Sequence, residues 1–376
     1  MEFVVAKREF VKALGRVQNV ADRRSSMPML TNVLIAAGGP GRLRVAATDL
    51  TLSVASTIEA DIRKGGSVAL NAKHLFDAVK VLPEGDVSVV VGANFSTRIS
   101  GGKRRFDLVG MSGEEFPALP EHGRSELQAL AADALGDLIT LTSFSMSTDD
   151  ARPHLAGALL EREGEILRMV TTDGHRLSKA ERRVEATTAT MSMLIPAKGI
   201  IELRRLADEA RAEQKAENGQ PATIAIGQAG SNVFFQREGV TMAVKLVDAA
   251  FPAYQQVIPA SSNRSARMGR AALLDSLRAV SLVSQDRSSG VRMQFSPSKV
   301  VLSSENQDVG ASTDEIDAEL KGKELTVGFN SRYLIDALAA LACDDVVIEM
   351  SGELDPGVIR PADNDGFLGV IMPMRI

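Results

Sequence analysis

The feature that most constrains this 376-residue chain is an internal repeat of long period. The segment Lys73-His-Leu-Phe-Asp77-Ala-Val-Lys80 returns as Lys198-Gly-Ile-Ile-Glu202-Leu-Arg-Arg205 and again as Arg332-Tyr-Leu-Ile-Asp336-Ala-Leu-Ala339. Each copy opens on a base, continues with a large apolar pair and then places an acid. Each follows a short β-like run ending in Asn or Pro, at 67–71, 193–196 and 325–330. In the first copy Leu75, Phe76, Val79 and Leu82 recur at helical spacing and predict a core-facing stripe. Lys73 and Lys80, two turns apart, mark the opposite face. Repeats of this kind decide the fold before any single element does.

Other elements repeat in the same order. Apolar runs at 43–45, 167–170 and 300–302 lead to Thr48-Asp49, Thr172-Asp173 and Ser304-Glu305, and read as strands joined by Gly-rich turns. A helical stripe opens each copy: Phe10, Val11, Leu14 and Val17; then Leu135, Leu138 and Ile139, interrupted at Thr142; then Leu273, Leu274, Leu277 and Val280. Asp/Arg-containing turns follow at 22–24, 149–152 and 286–287. The first two copies close alike, on Phe116-Pro-Ala-Leu-Pro120 and Phe251-Pro-Ala-Tyr254, and polar linkers are expected at 121–126 and 260–267. Two helices and many strands per copy predict an α+β class, with domains at 1–121, 127–253 and 256–376.

With no Trp and two Tyr, the cores must be built from Leu, Ile, Val, Met and Phe. The lone cysteine, Cys343, excludes an intrachain disulfide framework and a multi-Cys metal site. It follows the apolar run 338–341, which predicts a buried, inert thiol. No apolar run approaches the ~20 residues of a membrane helix, and no N-terminal stretch joins a basic region to an apolar one. A cytoplasmic protein without membrane contact is expected.

A net charge of −5 argues against a polyanionic partner unless the bases are segregated. They favour the predicted helices: Lys7, Arg8, Lys12, Arg16, Lys73, Lys80, Lys198, Arg204, Arg205, Arg211, Arg278 and Arg332. Many acids fall instead in strands, turns and linkers, among them Glu84, Asp86, Glu114, Glu161, Asp314, Glu315, Asp317 and Asp345. Solvated helix faces would give this pattern; so would equivalent helices lining one basic surface. Sheet-rich domains leave open edges. Joining them edge to edge leaves only the two chain ends open, and a head-to-tail second copy would close them; an elongated monomer is the alternative. A basic surface inside a closed ring suits duplex DNA, because phosphate contacts position without reading sequence and closure replaces affinity that salt would weaken.

Several segments then match one family. Thr171-Thr172-Asp173-Gly174-His175-Arg176-Leu177, Lys245-Leu-Val-Asp248 with Phe251-Pro-Ala-Tyr254, and the terminal Met372-Pro-Met-Arg-Ile376 are the specific signals; Phe144-Ser-Met146 and Pro28-Met-Leu30 add to them. Over its whole length the chain resembles the bacterial DNA polymerase III beta subunits, the sliding clamps. The resemblance implies three tandem clamp domains, each with two inner helices and outer antiparallel sheets, in a head-to-tail dimeric ring on double-stranded DNA. It implies a processivity factor that catalyses nothing, needs no cofactor or metal, and is loaded by an ATP-driven clamp loader complex. The DNA polymerase III alpha subunit, the loader and other clamp-binding-motif proteins of replication and repair would dock peptides in a pocket between the second and third domains.

By matching motif positions that pocket would use Leu155, Thr172, Gly174, His175, Arg176 and Leu177; Pro252, Gln256 and Val257; and Val370, Met372, Pro373, Met374 and Arg375. Flexible Met side chains suit a site that accepts several partners; core packing would also explain Met372 and Met374, and a turn would explain Gly174. DNA contacts carried over are Arg24, Lys73, Asp149, Arg152, Pro153, His154 and Lys198. This chain departs from the family in having Pro153-His154 where members often carry aromatics, an acid at Asp149, and Gln256 where a base is common. The subunit seam would set Phe106 and Leu108 against Leu282 and Val283 of the partner.

Two other classes compete. Asp173, His175 and Ser178 contain the residue types of a hydrolase triad, but they are crowded in sequence and no Gly-x-Ser-x-Gly elbow or Walker loop occurs. His154 and His175 lack metal-ligand spacing. A protein-interaction scaffold without DNA in its hole is the second alternative, and the basic helix faces weigh against it.

Overall fold

The computed structural model describes every residue except 23–24, 40, 124–125, 150, 189, 218–220, 285–288, 364–365 and 376, and only the backbone of 215–217. The predicted basic turns at Arg23-Arg24 and Asp286-Arg287 therefore lie outside the described residues.

The repeat is visible as three helix pairs: α1 (Lys7–Val17) with α2 (Ala72–Lys80), α3 (Ala132–Thr142) with α4 (Ala197–Glu217), and α5 (Arg270–Val280) with α6 (Ser331–Ala340). The helix predicted from Lys73 forms because its apolar positions share one face. Leu75, Val79 and Leu82 are fully buried, and Phe76 is half-buried against Gly15 of α1. Burying one such side chain contributes about 1.5–3 kcal/mol. The Asn residues that end the preceding strands cap the helices: Asn71 Oδ1 accepts from the His74 amide, and Asn330 Oδ1 from the Arg332 amide.

The chain forms two compact units, Met1–Leu130 with Thr223–Leu246, and Ala131–Ala222 with Val247–Ile376. The first holds a five-stranded sheet that ends on the edge strand Arg104–Val109. It also holds a nine-stranded sheet in which Leu52–Glu59 pairs antiparallel with Val240–Lys245. The second holds a twelve-stranded sheet in which Arg176–Arg183 pairs with Phe367–Ile371. These two pairings join consecutive repeats edge to edge, as the repeat pattern predicts.

Four local expectations are corrected. The segment 260–267 is not all linker: Arg264–Gly269 is a strand paired on both sides, and its alternation buries Ala266 and Met268. Thr142 does not interrupt its stripe but is fully buried, its hydroxyl donating to the Leu138 carbonyl. Cys343 is half-buried, not buried. Arg211, counted among solvent-facing bases, turns inward. Its guanidinium lies over α3, pairing with Asp133 at 2.9 Å and Asp137 at 2.7 Å. Gly136 makes the room, since a Cβ there would fall 2.6 Å from the guanidinium carbon. Lys7 is likewise drawn into a 2.8 Å pair with Glu84.

Candidate functional site

The strongest motif folds into a closed turn at the start of the strand Arg176–Arg183. Thr172 Oγ1 donates to the Arg176 carbonyl at 2.6 Å and accepts the Gly174 amide at 3.1 Å. Asp173 Oδ1 accepts the amides of His175 and Arg176 at 2.9 and 3.0 Å. Gly174 sits at φ +90°, a conformation that L side chains rarely adopt. The first repeat builds the same turn: Thr48 Oγ1 donates to Leu52 and accepts from Leu50, and Asp49 Oδ1 accepts from Thr51 and Leu52. There Leu50 takes the strained position, at φ +74°.

This turn is not a catalytic triad. The Asp173 carboxylate is occupied by backbone amides and by Arg176 Nε at 3.0 Å, while Ser178 is buried against Ser145 at 2.7 Å.

Beside the turn lies a cavity of about 160 Å³, lined by His154, Leu155, Thr172, Gly174, Arg176, Leu177, Pro252, Tyr254, Val257, Val370 and Met372. It is smaller than the ~300–1,000 Å³ of sites that enclose a drug-sized ligand, so its size suits protruding side chains. An apolar cluster including Leu159, Val170, Leu177, Tyr254, Val358, Leu368 and Val370 forms its base. The chain tail edges it: the Met372 amide donates to the His175 carbonyl, and the Met374 amide to the Gly328 carbonyl at 2.7 Å.

Sequence reasoning assigns most of these residues to one site, and the fold brings them together. His175, Gln256, Pro373, Met374 and Arg375, expected in the same pocket, do not line the cavity. His154, expected among the DNA contacts, does. Tyr254, the last residue of the Phe251-Pro-Ala-Tyr254 motif, lines it as well. Its hydroxyl donates to Glu161 Oε2 at 2.8 Å, and Glu161 is paired with Arg168 at 3.5 Å. Burial pushes the phenol above its ordinary pKa, so it remains a donor. The signal for it was the repeated Phe-Pro-Ala-x: in the first copy Leu119 packs beside the small core of Met29, Ala69 and Phe116. Two larger clefts, of about 760 and 690 Å³, have polar linings and gather none of the expected residues.

Residues 1–120, 129–253 and 255–375 match, in order, the N-terminal, central and C-terminal domains of the DNA polymerase III beta subunit. The chain belongs to the DNA polymerase III beta subunit family. The beta sliding clamp of Vibrio cholerae serotype O1 is 30% identical to it over 379 residues, covering 100% of each chain. A crystal structure of a sliding clamp from Pseudomonas aeruginosa bound to griselimycin superposes with a TM-score of 0.92 at 29% identity, covering 100% of both. The DNA polymerase sliding clamp of Bacillus subtilis gives 0.93 at 26% identity, over 100% of this chain and 99% of that one. The α+β repeats are thus three tandem clamp domains of helices and antiparallel sheets.

The expected DNA residues are scattered over several elements. Lys73 and Lys198 are exposed and each is the second residue of its helix, as is Arg332 of α6. Arg24 lies outside the described residues. Asp149, an odd residue for a phosphate surface, holds Arg152 Nε at 2.9 Å, and Arg152 Nη1 reaches the Asp173 carbonyl at 3.2 Å. The Ala151 amide and then Arg152 keep the Asp149 carboxyl below its ordinary range. Pro153 is exposed on the same loop. The expected seam residues are at least partly accessible: Phe106 and Leu108 are half-buried on the sheet-edge strand, Leu282 is 83% exposed, and Val283 is half-buried. Among the described residues no helix is long and apolar enough to cross a membrane.

Proposed function

We propose that two copies of this chain close head to tail into a ring around duplex DNA and act there as a tether, not a catalyst. Whole-length membership of the sliding-clamp family carries this reading. The domains would run 1–121, 127–253 and 256–376, and the protein would work in the cytoplasm. Open sheet edges support closure. The strand Arg104–Val109 is basic, with Lys103 beside it, and carries Phe106 and Leu108. Among the described residues, 310–317 of the strand Gly310–Lys321 pair only with Lys299–Asn306, and they carry Asp314, Glu315 and Asp317. Opposite charge on two open edges favours pairing between copies over pairing of like with like, with Leu282 and Val283 packed under Phe106 and Leu108.

The DNA contacts would come from Arg24, Lys73, Asp149, Arg152, Pro153, His154 and Lys198. The bases at the second position of α2, α4 and α6 support an anion-facing role. A cation there opposes the helix dipole and costs about 0.3–1 kcal/mol, so helix stability does not account for it. The cavity beside the Thr172–Arg176 turn would take apolar side chains of peptides from the DNA polymerase III alpha subunit, the clamp loader complex and other clamp-binding proteins. His175, Gln256, Pro373, Met374 and Arg375 would contact the peptide beyond that cavity. The bound griselimycin in the Pseudomonas relative supports an accessible ligand site in the family.

The test is retention. Loaded onto nicked circular DNA, the protein should stay bound through a high-salt gel filtration and be lost after the circle is linearised. Native mass should give two chains per particle. Equal loss from circles and linear DNA would refute the ring.

A further inference from the structure

Arg176 stands in the cavity wall with its charge already engaged. Its Nε donates to Asp173 at 3.0 Å, Nη1 to Asp336 Oδ2 at 2.6 Å, and Nη2 to the Phe144 carbonyl at 2.6 Å. The guanidinium carbon lies 4.5 Å from the centroid of the Tyr333 ring and 5.6 Å from that of Phe144, and the side chain is 11% exposed. Tyr333 and Asp336 are three residues apart on α6, and neither lines the cavity. The other nearby guanidinium, on Arg152, is engaged by Asp149 and the Asp173 carbonyl.

We propose that Asp336 and Tyr333 are positioning residues that hold Arg176 as a charge-neutralised wall, so that the cavity selects an uncharged apolar anchor and gives no preference to an acidic neighbour. This rests on the peptide-docking reading above. Two carboxylates and a carbonyl take three of the five N–H groups of the guanidinium and an aromatic face covers it, so an incoming carboxylate meets a charge that is already balanced. What remains for a ligand is the aliphatic stem, locked in one rotamer before binding. Such preorganisation favours affinity by avoiding the cost of ordering a long side chain. Asp336 thereby sets peptide choice from outside the cavity lining.

The experiment uses the full-length chain and fluorescence anisotropy with two labelled peptides. One carries the clamp-binding segment of the polymerase alpha subunit; its twin has one uncharged residue beside the apolar anchor replaced by Asp. The parent protein should bind the first at least as tightly as the twin, with little response to ionic strength. Asp336→Asn keeps the shape and removes the charge. It should weaken the first peptide and raise the twin's relative affinity, each by about fivefold, the scale of a direct pair coupling. It should also add a salt dependence that the parent lacks. Asp336→Glu should restore the parent ratio. Tyr333→Leu, which uncovers the guanidinium, should move the ratio in the same direction, and urea midpoints report whether each variant is folded. An unchanged peptide ratio and salt response in folded Asp336→Asn would overturn the positioning role while leaving the docking site intact. Failure of the parent to bind either peptide would remove the docking site and this proposal with it.

Discussion

The backbone amide of Met372 donates to the carbonyl of His175 at 2.9 Å, tying the chain tail to the turn beside the cavity. Truncation after Ile371 removes this bond, the Met374–Gly328 bond and the Met372 wall. At about 1 kcal/mol net per hydrogen bond, the fold should persist with a modestly lower urea midpoint. Binding of the alpha-subunit peptide should be lost while native mass stays at two chains. Undiminished peptide binding by the truncated chain would show that the tail forms no part of the site.

The paired turns give opposite mutational signs. Gly174→Ala places an L side chain at φ +90° and should destabilise by about 1–3 kcal/mol, with weaker peptide binding as the turn distorts. Leu50→Gly relieves a side chain that is 56% exposed at φ +74°. It should raise the thermal midpoint, by an amount worth roughly 0.5–1 kcal/mol after the entropy cost of glycine. Calorimetry on both variants checks the pair; a midpoint lowered by Leu50→Gly would mean that Leu50 makes a compensating contact.

For the bases at the helix starts, stability and DNA association should part company. Lys73→Glu turns an unfavourable dipole interaction into a favourable one at the N-terminus of α2. It should stabilise the fold by about 0.3–1 kcal/mol at low salt. The same change should weaken DNA association and flatten its dependence on salt by about one phosphate's worth. Urea titration and a salt series of DNA binding measure the two effects separately. Loss of both together would argue that Lys73 serves the fold.

Glu202 makes stability depend on pH. The residue is 9% exposed on α4; burial pushes its pKa above the ordinary carboxylate range, and Arg205 and Lys198 offset this only in part. The folded state therefore holds this proton more tightly than the unfolded chain does. Its contribution to stability is largest in mild acid and declines as pH rises through the interval between the ordinary and the raised value. Glu202→Gln should be more stable than the parent at neutral pH, and the difference should shrink in mildly acid buffer. A difference that grows on acidification would show that Arg205 outweighs burial.

What the sequence made legible is local. The helices at Lys73 and Arg332 appear within a residue or two of their predicted limits, because their apolar spacing and Asn caps lie inside the segment itself. The second copy of that pattern, α4, runs on to Glu217, because Leu206, Ala207 and Ala210 continue its buried face beyond the repeat template. The turn Thr172–Arg176 was readable for the same reason: its hydrogen bonds close within five residues. The anchors of Arg176 were not. Asp336 is 160 residues away, and nothing near it distinguishes it from Asp77, the acid at the same place in the first copy. The inward turn of Arg211 is not legible in the sequence, because its partners, Asp133 and Asp137, belong to another helix. The strand Arg264–Gly269 was hidden by its outward Arg and Ser residues.

The compact units and the repeats do not coincide: the first repeat lies in one unit, the third in the other, and the middle one is divided between them. The middle clamp domain contributes its strands Thr223–Leu246 to one body and its helices α3 and α4 to the other. In the middle of the chain the repeated segment is therefore not the segment that packs together. Excised alone, residues 127–253 would carry two severed ladders, at Val240–Lys245 and Arg176–Arg183, each a template for aggregation. A gene dissection that cuts between the copies should yield insoluble pieces, even though the cut after the first copy falls in a polar connector.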